Sequence, residues 1–173
     1  MRHVISILLQ NEAGALARVA SLFSTRGYNI ESLSVAPTED LQVSRLTLVS
    51  IGSDQVISQI TQQLFKLVDV VNIADMTLGD HFERELAILK VKLASSGVSK
   101  AKAIAKKHGA EILDDSPVSF TLQLMGRVRE IDVFIEDVSA IGELSAVARS
   151  GSVAVSKGEV TLSSYDAHHH LSA

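Results

Sequence analysis

Apolar and polar residues alternate from His3 to Leu9, with Ile5, Ile7 and Leu9 on one face, which predicts a half-buried β-strand. After the short turn Asn11 to Ala13 the period changes. Leu16, Val19, Ala20 and Phe23 fall at i, i+3, i+4 and i+7, the stripe of an amphipathic helix starting at Gly14, with Gly27 as its C-terminal stop. Asn29 to Ala36 reads as a second strand ended by Pro37, and 37–40 as a turn. Val43 to Ile51, rich in β-branched residues, reads as a third strand. Ser53 or Asp54 caps a second helix carrying Ile57, Ile60, Leu64 and Leu67, and Val68 to Met76 closes the half as a fourth strand.

The order repeats. Glu83 to Leu93 reads as a strand, Ser99 to His108 as a helix stopped by Gly109, and Ala110 to Asp114 as a short strand before a turn at Pro117. In the next strand Phe120, Leu122 and Leu124 alternate with polar neighbours. Ile131, Phe134, Ile135 and Val138 then mark a helix stopped by Gly142, and Leu144 to Ala148 is the last strand. Two β-α-β-β-α-β runs predict an α+β chain of two tandem ferredoxin-like βαββαβ domains. The expected division is 1–77 and 83–160, with a tail at 161–173 that has no core face. Each domain would leave one sheet face bare opposite its helices, and exposed strand edges that invite pairing with another chain.

Composition narrows the function classes. The chain has 173 residues, 46% hydrophobic and 21% charged, the balance of a folded protein. Aromatics are only 4%, so the core is aliphatic. A net charge of −4 argues against a general nucleic-acid surface. Without cysteine, disulfides, thiolate metal sites and cysteine nucleophiles are excluded. The apolar opening is too short to span a membrane and no cleavage site follows, so a cytoplasmic protein is expected.

Catalytic chemistry is hard to find. The histidines His3, His81, His108 and the run His168 to His170 form no His-Glu-x-x-His pair, and no resident metal is expected. The segment 151–158 lacks the spacing of a phosphate-binding loop, and no nucleophile elbow occurs. The carboxylate pairs Glu83/Glu85 and Asp114/Asp115 read as solvated surface groups. No catalytic residue is assigned.

The strand-to-helix junction at Asn11 to Leu16 is the chemically suggestive stretch. The first N–H groups of a helix are unsatisfied and carry the positive end of its dipole, a ready site for a carboxylate. Gly14 lets a small ligand approach the backbone, and Asn11 and Asn29 each offer a donor and an acceptor. Leu16 and Ile30 supply apolar neighbours, so a free amino acid finds a partner for each of its groups. The same residues also fit a plain capped helix, with Asn11 as N-cap and Asn29 as a turn residue.

The stretch "LLQNEAGALARVASLFSTRGYNIESLSVAPTED", followed by "VSRLTL", closely resembles the ACT domain of acetolactate synthase small regulatory subunits, and "ELAILKVKL" and "AVARSGSVAVSKGE" resemble that family's second domain. The resemblance implies a non-catalytic chain that activates a catalytic large subunit and confers feedback inhibition by valine or a related branched-chain amino acid. The effector would sit at a homodimer interface of ACT domains. Asn11, Ala13, Gly14, Ala15 and Leu16 of one copy would face Asn29 and Ile30 of the other, with Ala36 and Gln59 as supporting positions. Thiamine diphosphate, magnesium and FAD would belong to the large subunit, and this chain would bind no cofactor, nucleic acid or membrane. The alternatives are a free-standing amino-acid sensor acting on transcription or on another enzyme, and an enzyme with a site of its own.

Overall fold

Alternating strands that each have one apolar face must bury it, and helices with matching stripes supply the cover. The computed structural model describes residues 1–116, 118–159 and 161–163. The chain divides into two compact units. The first holds Met1–Phe82 together with the described residues among 152–163, and the second is Glu83–Gly151. The sequence placed 152–160 with the second half.

The first unit runs β1 (Arg2–Gln10), α1 (Ala15–Thr25), β2 (Ser32–Pro37), β3 (Val43–Ile51), α2 (Asp54–Leu64) and β4 (Val70–Asp75), followed by a short 3₁₀ turn, Met76–Leu78. Its antiparallel sheet has the order β2-β3-β1-β4, so β2 is an edge strand. Ile5, Ile7 and Leu9 of β1 and Leu46 and Leu48 of β3 meet Val19 and Phe23 of α1 and Ile57, Ile60 and Leu64 of α2 in one aliphatic core. Helix α1 ends as its sequence requires. Gly27 takes φ +69°, its N–H donates to Ser24 O, and Tyr28 N–H donates to Phe23 O. The rings of Phe23 and Tyr28 then meet edge to face at 6.4 Å, the apolar contact that accompanies this ending. The Ser53 hydroxyl caps α2, accepting from Val56 N–H.

The sheet face opposite the helices is not bare, contrary to the expectation from sequence. The strand β9 (Val153–Ser156) places Ala154 with Val4, Val49 and Met76 in a small buried cluster. Farther on, Arg45 donates to Ser6 Oγ at 3.0 Å and to Leu162 O at 3.1 Å, and Asn72 donates to Ser163 O at 2.9 Å. Polar side chains on a covered face need acceptors, and the backbone of 162–163 provides them. The remainder of the expected tail, including His168 to His170, lies outside the described residues, as does the turn marker Pro117.

The second unit comprises β5 (His81–Lys92), α3 (Gly97–His108), β6 (Glu111–Ser116), β7 (Ser119–Gly126), α4 (Val128–Ser139) and β8 (Glu143–Arg149), with sheet path β6-β7-β5-β8. Ala87, Leu89, Val91, Phe120 and Leu122 are buried against Ala101 and Ala105 of α3 and Ile131, Phe134 and Val138 of α4. Gly109 is the left-handed stop of α3, whereas Gly142 is not a helix stop at all. Helix α4 ends at Ala140 in right-handed geometry, and a Cβ on Gly142 would lie 2.4 Å from Lys92 O.

Glu85 is a second correction. It is only 4% exposed, and Arg149 donates to its two carboxylate oxygens at 2.8 Å each, with Asp132 on the third side at 2.9 Å. The hydrogen bonds that Arg149 donates to Glu85 hold its guanidinium above the ordinary pKa. Removing the cation would strand a buried carboxylate. Arg149→Met is expected to cost about 2 kcal/mol in urea unfolding, and adding Glu85→Gln is expected to recover most of it. A fully additive double mutant would show that the two groups do not act as a pair.

Candidate functional site

The junction between β1 and α1 is held from both sides. Toward β4, Gln10 N–H donates to Asp69 O at 2.8 Å. Toward β3, Asn11 N–H donates to Gln42 O at 2.7 Å and Asn11 Nδ2 to Leu41 O at 2.9 Å. Asn11 is therefore not the helix cap. That position is Gly14, at φ +89°, and it offers no side-chain hydrogen bond. Inside the turn, Glu12 N–H donates to Gln10 O and Ala15 N–H to Glu12 O, and Arg18 N–H closes the first helical bond on Gly14 O. A glycine cap leaves the first-turn N–H groups without a side-chain acceptor, so the positive end of α1 is open to an anion.

Beside this turn lies a cleft of about 250 Å³. Leu9, Gln10, Asn11, Glu12, Ala15 and Leu16 form one wall, and Val35, Ala36, Pro37 and Ser44 the other. The cleft has a polar end at Asn11 and Glu12 and aliphatic sides from Leu9, Leu16, Val35 and Pro37. Its size is below that of pockets for drug-sized ligands, about 300–1,000 Å³, and suits a molecule with a few heavy atoms.

Of the residues singled out in the sequence, Asn11, Ala15, Leu16 and Ala36 line this cleft, and Ala13 and Gly14 form the exposed turn beside it. Ala36 is thus a wall residue of the cleft. Gln59 is exposed on α2 and does not line the cleft. Asn29 and Ile30 lie before β2, at the other end of the sheet. Asn29 O accepts from Ser50 Oγ, and Ser50 pairs with His3, whereas the cleft is at the end where Gln10 pairs with Val43. Within one chain that separation is roughly 20 Å at about 3.3 Å per residue.

Sequence reasoning missed Arg18 and Asp69. Arg18 donates from Nη2 to Asp69 Oδ1 at 2.7 Å and from Nε to Asp69 Oδ2, and the Asp69 side chain is only 4% exposed. The hydrogen bond to Arg18 holds the Asp69 carboxyl below its ordinary pKa and raises the guanidinium. The only local signal was a cation four residues after Gly14, because the partner lies 51 residues away. The three described histidines each meet a different partner. His3 is buried between Asp75 and Asp54, His81 meets Gly79 O, and His108 meets Asp137, and among the described residues no group of three or more ligating side chains converges. No helix among them is long and apolar enough to cross a membrane.

The chain is similar to known proteins in sequence and in fold. Residues 5–72 match the AHAS small subunit-like ACT domain, and residues 84–158 match the family described as small subunit of acetolactate synthase. The chain is 42% identical over 159 residues to the acetolactate synthase isozyme 3 small subunit of Escherichia coli (strain K12), spanning 92% of this chain and 98% of that protein. It is 43% identical over 159 residues to the acetolactate synthase small subunit of Haemophilus influenzae, with the same coverage. Among solved structures, the acetolactate synthase small subunit from Thermotoga maritima superposes with a TM-score of 0.82 at 29% identity, over 92% of this chain and 99% of that one.

Proposed function

This chain belongs to the family of acetolactate synthase small subunits, and we propose that it makes the catalytic large subunit responsive to valine or a related branched-chain amino acid. The chain is a regulatory, non-catalytic subunit, and the large subunit is its partner. Thiamine diphosphate, magnesium and FAD are assigned to the large subunit. In the proposed assembly this chain activates that subunit in the absence of effector and restrains it when the amino acid is bound.

The observation that carries the effector reading is the position of the cleft. It lies between an uncapped helix N-terminus and the free edge of β2. The turn N–H groups suit the effector carboxylate, Asn11 and Glu12 suit its ammonium group, and Leu9, Leu16, Val35 and Pro37 suit an aliphatic side chain. Edge strand β2 also accounts for the distance to Asn29 and Ile30. If β2 pairs antiparallel with β2 of a second copy, the start of one strand lies beside the end of the other. Asn29 and Ile30 of the second copy then approach Ala36 and the cleft, and the site is completed by the dimer.

Regulation follows by linkage. An amino acid that binds the restrained arrangement better shifts the population of the complex toward it. Calorimetric titration of the purified chain with valine, leucine and isoleucine tests the reading. Saturable binding near one site per β2 interface is expected. Aliphatic pockets separate one methylene by about 1–3 kcal/mol, so affinities are expected to differ by about 10- to 200-fold across the three. No binding by the chain alone or by the reconstituted complex would overturn the proposal.

A further inference from the structure

We infer that Arg18 is a positioning residue of the effector turn, held by Asp69 and holding Gly14 in turn. The inference rests on the effector reading above, which does not itself involve either residue. Neither lines the cleft. Asp69 approaches from the β4 side, where its carbonyl accepts Gln10 N–H, and the cleft opens on the β2 and β3 side.

Three observations converge on this pair. The Asp69 carboxylate is buried and takes two donors of the Arg18 fork, which fixes the plane of the guanidinium as a single ammonium cannot. The remaining terminal nitrogen, Nη1, lies 2.9 Å from where a Cβ on Gly14 would stand, so the guanidinium lies against the one residue of the turn with positive φ. Arg18 N–H also donates to Gly14 O at 3.0 Å. The backbone of Arg18 thus bonds to Gly14, and its guanidinium fills the space a side chain there would take. Glycine is the residue most free to leave such a conformation, and a turn that wanders would misplace the N–H groups meant for a carboxylate. Glycine here serves two needs at once: the backbone conformation and the room for Arg18.

The test uses Arg18→Lys and Asp69→Asn in the full chain, with two readouts. Lysine keeps a charge for Asp69 and loses the planar fork. The first readout is calorimetric affinity for valine beside the urea midpoint. Each variant is expected to bind valine at least tenfold more weakly with a midpoint close to that of the unsubstituted chain, and the double variant no more weakly than the worse single. Wild-type affinity in both single variants overturns the inference, as does a loss of affinity matched by an equal loss of folded protein. The second readout needs no effector. Amide hydrogen exchange at Glu12 and Ala15, which bond across the turn, is expected to quicken at least tenfold in both variants. Unchanged exchange overturns the inference even if valine turns out not to bind, a result that would sink the effector reading separately.

Discussion

Gly14→Asp is expected to abolish the response to the branched-chain effector while leaving a folded chain that still associates with the large subunit. Gly14 has φ +89° and ψ −12°. A residue with a Cβ pays roughly 1–3 kcal/mol there, and aspartate is among the side chains that tolerate this region best, so the domain should survive. The new Cβ would stand 2.9 Å from Arg18 Nη1, so the guanidinium that Asp69 holds must shift to admit it. The carboxylate has two consequences for binding. It caps the first turn of α1, occupying the N–H groups proposed for the effector. It also adds a negative charge beside Arg18 that competes with Asp69. A weakening of valine binding of at least 100-fold is expected, about 2.8 kcal/mol, read by calorimetry and by valine inhibition of the reconstituted complex. Gly14→Ala carries the strain without the charge and should weaken binding less. Ordinary valine inhibition in the Gly14→Asp complex would remove this turn from the site.

Local signals in the sequence were read well where they act locally. The third strand, Val43–Ile51, has the bounds its β-branched run predicts, and Ser53 caps α2. Gly27 and Gly109 adopt the left-handed conformation expected of helix stops. The misreadings share one cause: a partner far along the chain. Asn11 has the chemistry of a cap, but the Leu41 carbonyl claims its amide. Glu85 looks like a surface acid until Arg149, 64 residues later, reaches it. The covered sheet face depends on Leu162 and Ser163 reaching Arg45 and Asn72.

The candidate site divides in the same way. Asn11, Gly14 and Leu16 could be singled out because a strand, a glycine and a helix start fall within six residues. Val35 and Pro37 enter the cleft only because β3 pairs with β1 on one side and β2 on the other, which no spacing reveals. Asn29 and Ile30 were singled out by their chemistry and by family resemblance, and no local signal shows that they lie at the far end of the sheet from the cleft.

Gly142 separates a local reading from a tertiary one by experiment. As a helix stop it would need a left-handed backbone, and alanine there would cost about 1–2 kcal/mol. Its φ is not in that region; instead its backbone crosses the end of β5. A Cβ would meet Lys92 O at 2.4 Å and the side chains of Leu93 and Val91 at 2.9 Å each. Lys92 is in register with Glu143, so its carbonyl cannot retreat without moving the pairing of β5 and β8. The neighbouring Val91 is fully buried in the core of the second unit. Overpacking against backbone belongs at the upper end of its usual cost, so Gly142→Ala is expected to lose about 3 kcal/mol. With a urea slope of about 2 kcal/mol/M the midpoint falls by about 1.5 M. Gly109→Ala is the control, because Gly109 has φ +69° and nothing within 4 Å of its would-be Cβ. It should lose only the strain of the left-handed backbone, about 1–2 kcal/mol. If the two substitutions cost the same, the close approach of Gly142 to β5 is wrong, and with it the packing of β8 on that strand.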